Sequence, residues 1–220
     1  MTAAIIPSLT SVYLDYNATT PCDPRVVEKM RPYFDELYAN PANGYHHWGR
    51  LAARAVDDAR AQVGELLNAT SREIVFTAGA TESNNLAILG LARMARSSKR
   101  RRIVTTAVEH KAVLLTCKRL AEEGFELVVL PVDENGRVIL DAARAEINAE
   151  TLLVSVQAAN NEIGTIQPVA EFAEIAHAHG AIIHCDAAQA VGKIPVDVHH
   201  LGVDLLSASA HKLYGPKAIG

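Results

Sequence analysis

The sequence predicts an α/β fold, a mostly parallel sheet with helices on both faces. Three observations carry this. The apolar run at 181–185 is continuous rather than alternating, as in a strand buried on both faces, and further strands are predicted at 103–106 and 152–157. Segments of helical period lie between them, which is the spacing of crossover units. Four residues able to do chemistry, Thr81, His110, Asp186 and Lys212, each follow a predicted strand, and open α/β sheets hold ligands at that end.

In chain order, 12–16 is a short apolar–polar stretch that runs into turn residues. Pro24 opens a helix predicted over 25–37, with Asp23 as its cap. Residues 40–49 read as a loop, in which His46, His47 and Trp48 are either packed or part of a binding mouth. Over 50–67, Leu51, Ala55, Val56, Ala59, Val63 and Leu66 recur at helical spacing. A strand at 73–77 then meets the turn Gly79-Ala80-Thr81 and a helix over 82–96. A strand, a turn of small residues and a helix N-terminus together favour an anion, because free N–H groups and the helix dipole both point at it.

The basic run 96–102 (RSSKRRR) reads as a solvated helix end before the strand 103–106. Helix 112–123, strand 126–131, helix 141–147, strand 152–157, helix 169–179, strand 181–185 and strand 205–209 complete the alternation. His177 and His179 are two residues apart, so they cannot share a helical face, and no zinc site or other metal centre is expected. His199 and His200 read as surface loop residues.

The bulk properties exclude several classes. A net charge of −4 gives no basic field for nucleic acid. No apolar run reaches the length of a membrane span, and 1–10 lacks the pattern of a secretory leader. Three cysteines, Cys22, Cys117 and Cys185, are too far apart for a CxxC site, and their number suits a reducing cytosol, so a cytoplasmic protein is expected.

Two residues near the C-terminal end carry the functional argument. Lys212 follows a strand rich in Leu, Ser and Ala. A partly desolvated lysine there can form a Schiff base with an aldehyde, although the segment alone also fits a solvated loop lysine. Asp186 ends the buried run 181–185 and needs a cationic partner or a set of backbone donors. Enzymes that use pyridoxal phosphate (PLP) pair such a lysine with an acid at the ring nitrogen.

The wider pattern comprises YLDYNATTP at 13–21, EIVFTAGATESNN at 73–85, EHKAV at 109–113, NNEIG at 160–164, AIIHCDAAQ at 181–189 and SAHKLYGP at 209–216. In these six stretches, which run almost from end to end, the chain resembles the cysteine desulfurases of the NifS/IscS-like group, within the class V aminotransferase-like PLP enzymes. The resemblance implies the large domain of PLP fold type I, with an N-terminal segment 1–20 and a PLP-binding domain 21–220, the C-terminal small domain lying outside.

By the same resemblance, Lys212 holds PLP and is the base at Cα, Asp186 faces the ring nitrogen and Gln189 the phenolic oxygen. His110 stacks on the ring and shuttles protons. Ala80, Thr81, Ser209 and His211 form the phosphate cup, and Asn161 lies near the substrate carboxylate and a cofactor oxygen. The substrate is L-cysteine, and the products are alanine and an enzyme persulfide whose sulfur passes to an acceptor such as an iron–sulfur scaffold. A homodimer or a complementary C-terminal chain is implied. The nucleophilic cysteine and the substrate-carboxylate arginine belong to the half beyond Gly220, so Cys22, Cys117 and Cys185 are expected to be structural. Other readings are a non-catalytic PLP-binding module, half of a split enzyme, or a selenocysteine lyase or another class V PLP enzyme.

Overall fold

The computed structural model describes residues 11–220, so the first ten positions of the expected N-terminal segment 1–20 lie outside the described residues. The helices are α1 (Pro24–Met30), α2 (Pro32–Asp35), α3 (His47–Leu67), α4 (Ala80–Met94), α5 (Lys111–Glu122), α6 (Leu140–Glu146), α7 (Val169–Ala178) and α8 (Val198–Leu201). The strands are β1 (Arg102–Thr106), β2 (Glu126–Leu130), β3 (Thr151–Gln157), β4 (Ile182–Asp186) and β5 (Leu205–Ser207).

Among the described residues these strands form one sheet in the order β2-β1-β3-β4-β5, and every pairing is parallel. Parallel neighbours need crossovers, and the helices that supply them cover both faces. On one face Phe172, Ala173 and Ala176 of α7 pack with Val154, Val156, Ile183 and Cys185. On the other, Ile88 of α4 and Val113, Cys117 and Leu120 of α5 pack with Ile103 and Leu153. Each such large side chain, fully buried, contributes about 1.5–3 kcal/mol. Alternation along β4 therefore sends Cys185 to the α7 face, while Asp186 reaches a side chain of α4 on the other.

A buried polar link ties the strands that end at the site. His184 is fully enclosed, with Nδ1 2.8 Å from Ser155 Oγ on β3 and Nε2 3.0 Å from Ser207 Oγ on β5. Burial lowers its pKa to about 4 against the pull of Asp186, so the ring is neutral, donating to one serine and accepting from the other.

The structure corrects four expectations. The helix over 25–37 is two pieces, because Pro32 lacks an N–H and its ring forbids a continuous turn; α1 ends at Met30 and Pro32 starts α2. The loop after residue 40 is shorter than expected. His46 caps α3 through Nδ1, which accepts from Gly49 N at 2.9 Å, and His47 and Trp48 lie in the helix. Gly49 is required there, since a Cβ would sit 1.8 Å from the Asn43 carbonyl oxygen.

Residues 73–77 are not a ladder strand. Ser71–Glu73 is a 3-10 turn, and the extended stretch after it pairs only at Thr77, which exchanges two hydrogen bonds with Gly220 at 2.8 and 3.0 Å. Arg60 donates to the Ile74 carbonyl and stacks over Phe76 at 4.9 Å. Finally, the basic run is solvated only in its first half, where Arg96 and Lys99 are exposed, and its last three residues are structural. Arg100 Nη1 donates to the carbonyls of Thr151, His179 and Gly180, Arg101 stacks on Phe125 at 3.9 Å, and Arg102 pairs with Glu126 at 2.8 Å.

The remaining elements match to within one or two residues at each end, apart from the last strand, which ends two residues early at Ser207. His199 and His200 lie in the short helix α8, capped by the Asp197 carboxylate.

Candidate active site

The C-terminal ends of the strands surround a hollow of about 730 Å³. Asp186 enters it as the last residue of β4. Lys212 enters from the 3-10 turn Ala210–Lys212 that follows β5. Ala80 and Thr81 come from the first turn of α4, His110 from the cap of α5, Asn161 from the turn after β3, and Gln189 from the turn after β4; Ser209 and His211 complete the wall. All nine residues that the resemblance assigns to the cofactor site thus line one space.

Asp186 is buried, and both its oxygens are engaged. Oδ2 accepts from Asn84 Nδ2 at 2.7 Å, and Oδ1 accepts from Ala188 N at 3.0 Å. The backbone-capping reading of Asp186 is therefore true of one oxygen, and a helix side chain serves the other. The amine of Lys212 donates to the Asn17 carbonyl, which also accepts from Gln189 Nε2 at 2.9 Å. Enclosure, and then the Lys193 ammonium, hold the Lys212 pKa below the ordinary lysine value, while Asp15, Asp186 and Glu162 pull it up. Lys193 is close because it donates to Gln189 Oε1. The result is an amine with an enlarged neutral fraction, which is what a nucleophilic or basic lysine requires.

His110 Nδ1 accepts from Ala112 N at 3.1 Å, so in the neutral ring the proton sits on Nε2. Asn160 and Asn161 divide their work. Asn160 Oδ1 accepts from Glu162 N and Ile163 N at 2.8 and 3.0 Å, which is the turn chemistry; Asn161 is left facing the hollow and donates to Glu162 Oε1. His211 Nδ1 lies 3.0 Å from Thr19 Oγ1, and enclosure, then Lys212 and Lys217, push its pKa down.

The phosphate end can be judged on the chain's own atoms. Gly79 precedes α4 at φ 132°, a conformation that favours glycine, and no side chain caps the helix. Ser209 Oγ is enclosed without a hydrogen-bond partner. An uncapped helix start beside a bare hydroxyl suits an anion of phosphate size. With Lys212 and Asp186 across the same space, the residues present fit PLP.

Sequence reasoning missed three contributors. Asn84 is buried inside α4, where Asn has poor helix propensity; that mismatch is the signal it offered. Gln157 lines the hollow, and its backbone is held by the buried Glu109, whose Oε1 accepts from Gln157 N and Thr106 Oγ1, each at 2.8 Å. The stretch 17–23 is a strap: Thr20 N and Oγ1 donate to the His211 carbonyl, and Asp23 N donates to the Tyr214 carbonyl at 2.9 Å. No local pattern announces that last contact. His46, His47, Trp48 and the three cysteines do not line the hollow.

The aminotransferase class-V family model matches residues 12–220. Cysteine desulfurase IscS of Dechloromonas aromatica (strain RCB) is 52% identical over 209 residues, 95% of this chain and 52% of that protein. The mitochondrial cysteine desulfurase of Arthroderma benhamiae is 50% identical over 210 residues, 95% of this chain and 42% of that protein. Among solved structures, a NifS-like protein superposes with a TM-score of 0.92 at 43% identity, covering 95% of this chain and 57% of that one. SspA in complex with cysteine gives 0.91 at 40% identity, covering 96% and 60%. The chain spans about half the length of the curated relatives it matches. It belongs to the class-V aminotransferase family, whose cysteine desulfurase members are PLP-dependent enzymes of fold type I.

Proposed function

We propose that this chain is the PLP-binding part of a cysteine desulfurase, which converts L-cysteine to L-alanine and leaves the sulfur as a protein persulfide for an acceptor such as an iron–sulfur scaffold. One observation carries the reading: Lys212, in the turn after β5, and Asp186, at the end of the adjacent β4, face one hollow in a chain about half identical to named cysteine desulfurases. Residues 21–220 act as the cofactor domain, and the small domain is supplied from outside it.

When bound, PLP supplies an electron-withdrawing ring that eases proton loss at the substrate Cα. Lys212 would hold its aldehyde carbon, Asp186 its ring nitrogen, and Gln189 its phenolic oxygen. Ala80, Thr81, Ser209 and His211 would hold the phosphate. The neutral Lys212 amine takes the Cα proton. His110, protonated on Nε2, stands ready to pass a proton to or from the reacting centre. Asn161 Nδ2 orients the substrate carboxylate.

Cys117 and Cys185 are buried and their thiols are pushed up, Cys117 to about 12, so neither suits a thiolate nucleophile. Cys22 lies on a separate surface depression with Val27 and Phe34. The sulfur-accepting thiol is accordingly assigned to a segment or chain outside these residues. Exposed Leu86, Met94 and Leu115 on α4 and α5 offer apolar surface for a second copy. No helix among the described residues is long and apolar enough to cross a membrane, and three free thiols suit a reducing compartment such as the cytosol.

Absorbance decides the cofactor claim. The purified protein is expected to turn yellow with PLP, and borohydride is expected to fix the cofactor to the wild type but not to Lys212→Ala. A wild-type protein that stays colourless with added PLP overturns the proposal.

A further inference from the structure

Two acids are buried at this end of the sheet, Asp186 lining the hollow and Glu109 bonded to the backbone of Gln157, which also lines it, and the hydrogen bonds treat them differently. Asp186 has a donor on each oxygen. Glu109 has both of its donors, Gln157 N and Thr106 Oγ1, on Oε1; its Oε2 is enclosed and has no partner. An ionised carboxylate with one bare oxygen away from water is costly, whereas a proton on that oxygen removes the charge and makes it a donor. Asn84 Oδ1, on the side chain that serves Asp186, is an enclosed acceptor with no donor. Among the described residues, the buried side-chain oxygens and nitrogens without partners are these two and Ser209 Oγ, and all three belong to this site.

We propose that Glu109 is a positioning residue that stands as a neutral acid, so that the two buried carboxyls share one negative charge and that charge rests on Asp186. The proton is on Oε2, the oxygen that has no donor. Glu109 keeps Oε1 for the Gln157 backbone and thereby fixes the end of β3 beside Asp186. The ring-nitrogen side of the proposal rests on the PLP reading above; the proton assignment does not.

The electrostatics agree. Burial raises the Glu109 pKa to about 8 against the two hydrogen bonds, and the Asp186 charge adds to the rise. The other titratable groups that sense it, Cys185 on β4 and Cys117 on α5, are pushed up and neutral. None of them supplies a cation to draw the proton off.

The test is an infrared pH titration of the cofactor-free protein labelled with ¹³C-glutamate. The expected result is a label-sensitive protonated-carboxyl band that disappears with a midpoint near 8. Ordinary glutamates titrate at about 4.3, so the labelled wild type alone identifies the buried one even where a variant does not fold. The band should be absent from Glu109→Gln, and its midpoint should move to lower pH in Asp186→Asn. Absence of any glutamate band titrating above the ordinary range overturns the proposal, as does a midpoint that Asp186→Asn leaves in place. Saturating PLP is expected to lower the midpoint too, because a ring cation then offsets the Asp186 charge. A cofactor-free midpoint near 8 that PLP does not move counts against the PLP reading and leaves the proton assignment standing.

Discussion

Asp186 Oδ2 depends on a single side chain, Asn84, which is buried in the polar first turns of α4. A hydrogen bond to a charged group is worth about 1.5–3 kcal/mol, and a buried carboxylate that loses one suffers the full desolvation cost. Asn84→Ala should therefore weaken PLP binding roughly ten- to a hundredfold, since a factor of ten corresponds to about 1.4 kcal/mol. Titration of the visible band measures this, and an unchanged affinity would mean that Ala188 N alone holds Asp186. Lys212 and Asp186 were legible in the sequence because each ends an apolar run, and the resemblance to desulfurases named the other wall residues. Asn84, Glu109 and the strap at 17–23 were not, because each acts through a partner far along the chain. Thr20 reaches His211 across 191 positions, a contact with no periodic trace.

At the scale of elements, the parallel strands were the easiest to read and the short connections the hardest. Strands buried on both faces must be continuous apolar runs, so β1, β3 and β4 announced themselves. The stretch 73–77 has the same composition, yet a strand is defined by its neighbour, and only Thr77 finds one. The basic run misled for the opposite reason. Charge density suggested solvent, whereas one guanidinium nitrogen of Arg100 ties the start of β3 to the end of α7 through three carbonyls. Arg100→Ala should lower stability by about 1.5 kcal/mol, with the denaturant midpoint falling at constant m-value. The hollow lies at the other end of the strands, so PLP affinity should not change.

For the whole molecule, two buried groups set the pH dependence of the cofactor-free fold. The Glu109 pKa is raised from 4.5 to about 8, so over that interval the folded chain keeps a proton that the unfolded chain has released, and stability falls as pH rises. The His184 pKa is lowered from 6.5 to about 4, so over that interval the unfolded chain holds the extra proton and stability rises with pH. The two slopes oppose each other where the windows overlap. Above the ordinary histidine value His184 no longer opposes the Glu109 slope, and stability should decline towards pH 8 by up to about 1.4 kcal/mol per pH unit. Chemical denaturation across that range checks this, and Glu109→Gln should flatten the profile there.

The bare hydroxyl of Ser209 carries a wider consequence for how such a chain changes over time. Unlike Glu109 and Asn84, whose other polar atoms hold buried partners, it serves no group of the chain itself, so an alanine there would relieve an unmet polar demand and make the cofactor-free fold more robust. Drift under selection for durability alone would erase that position first, leaving a sturdier protein with a looser grip on the vitamin.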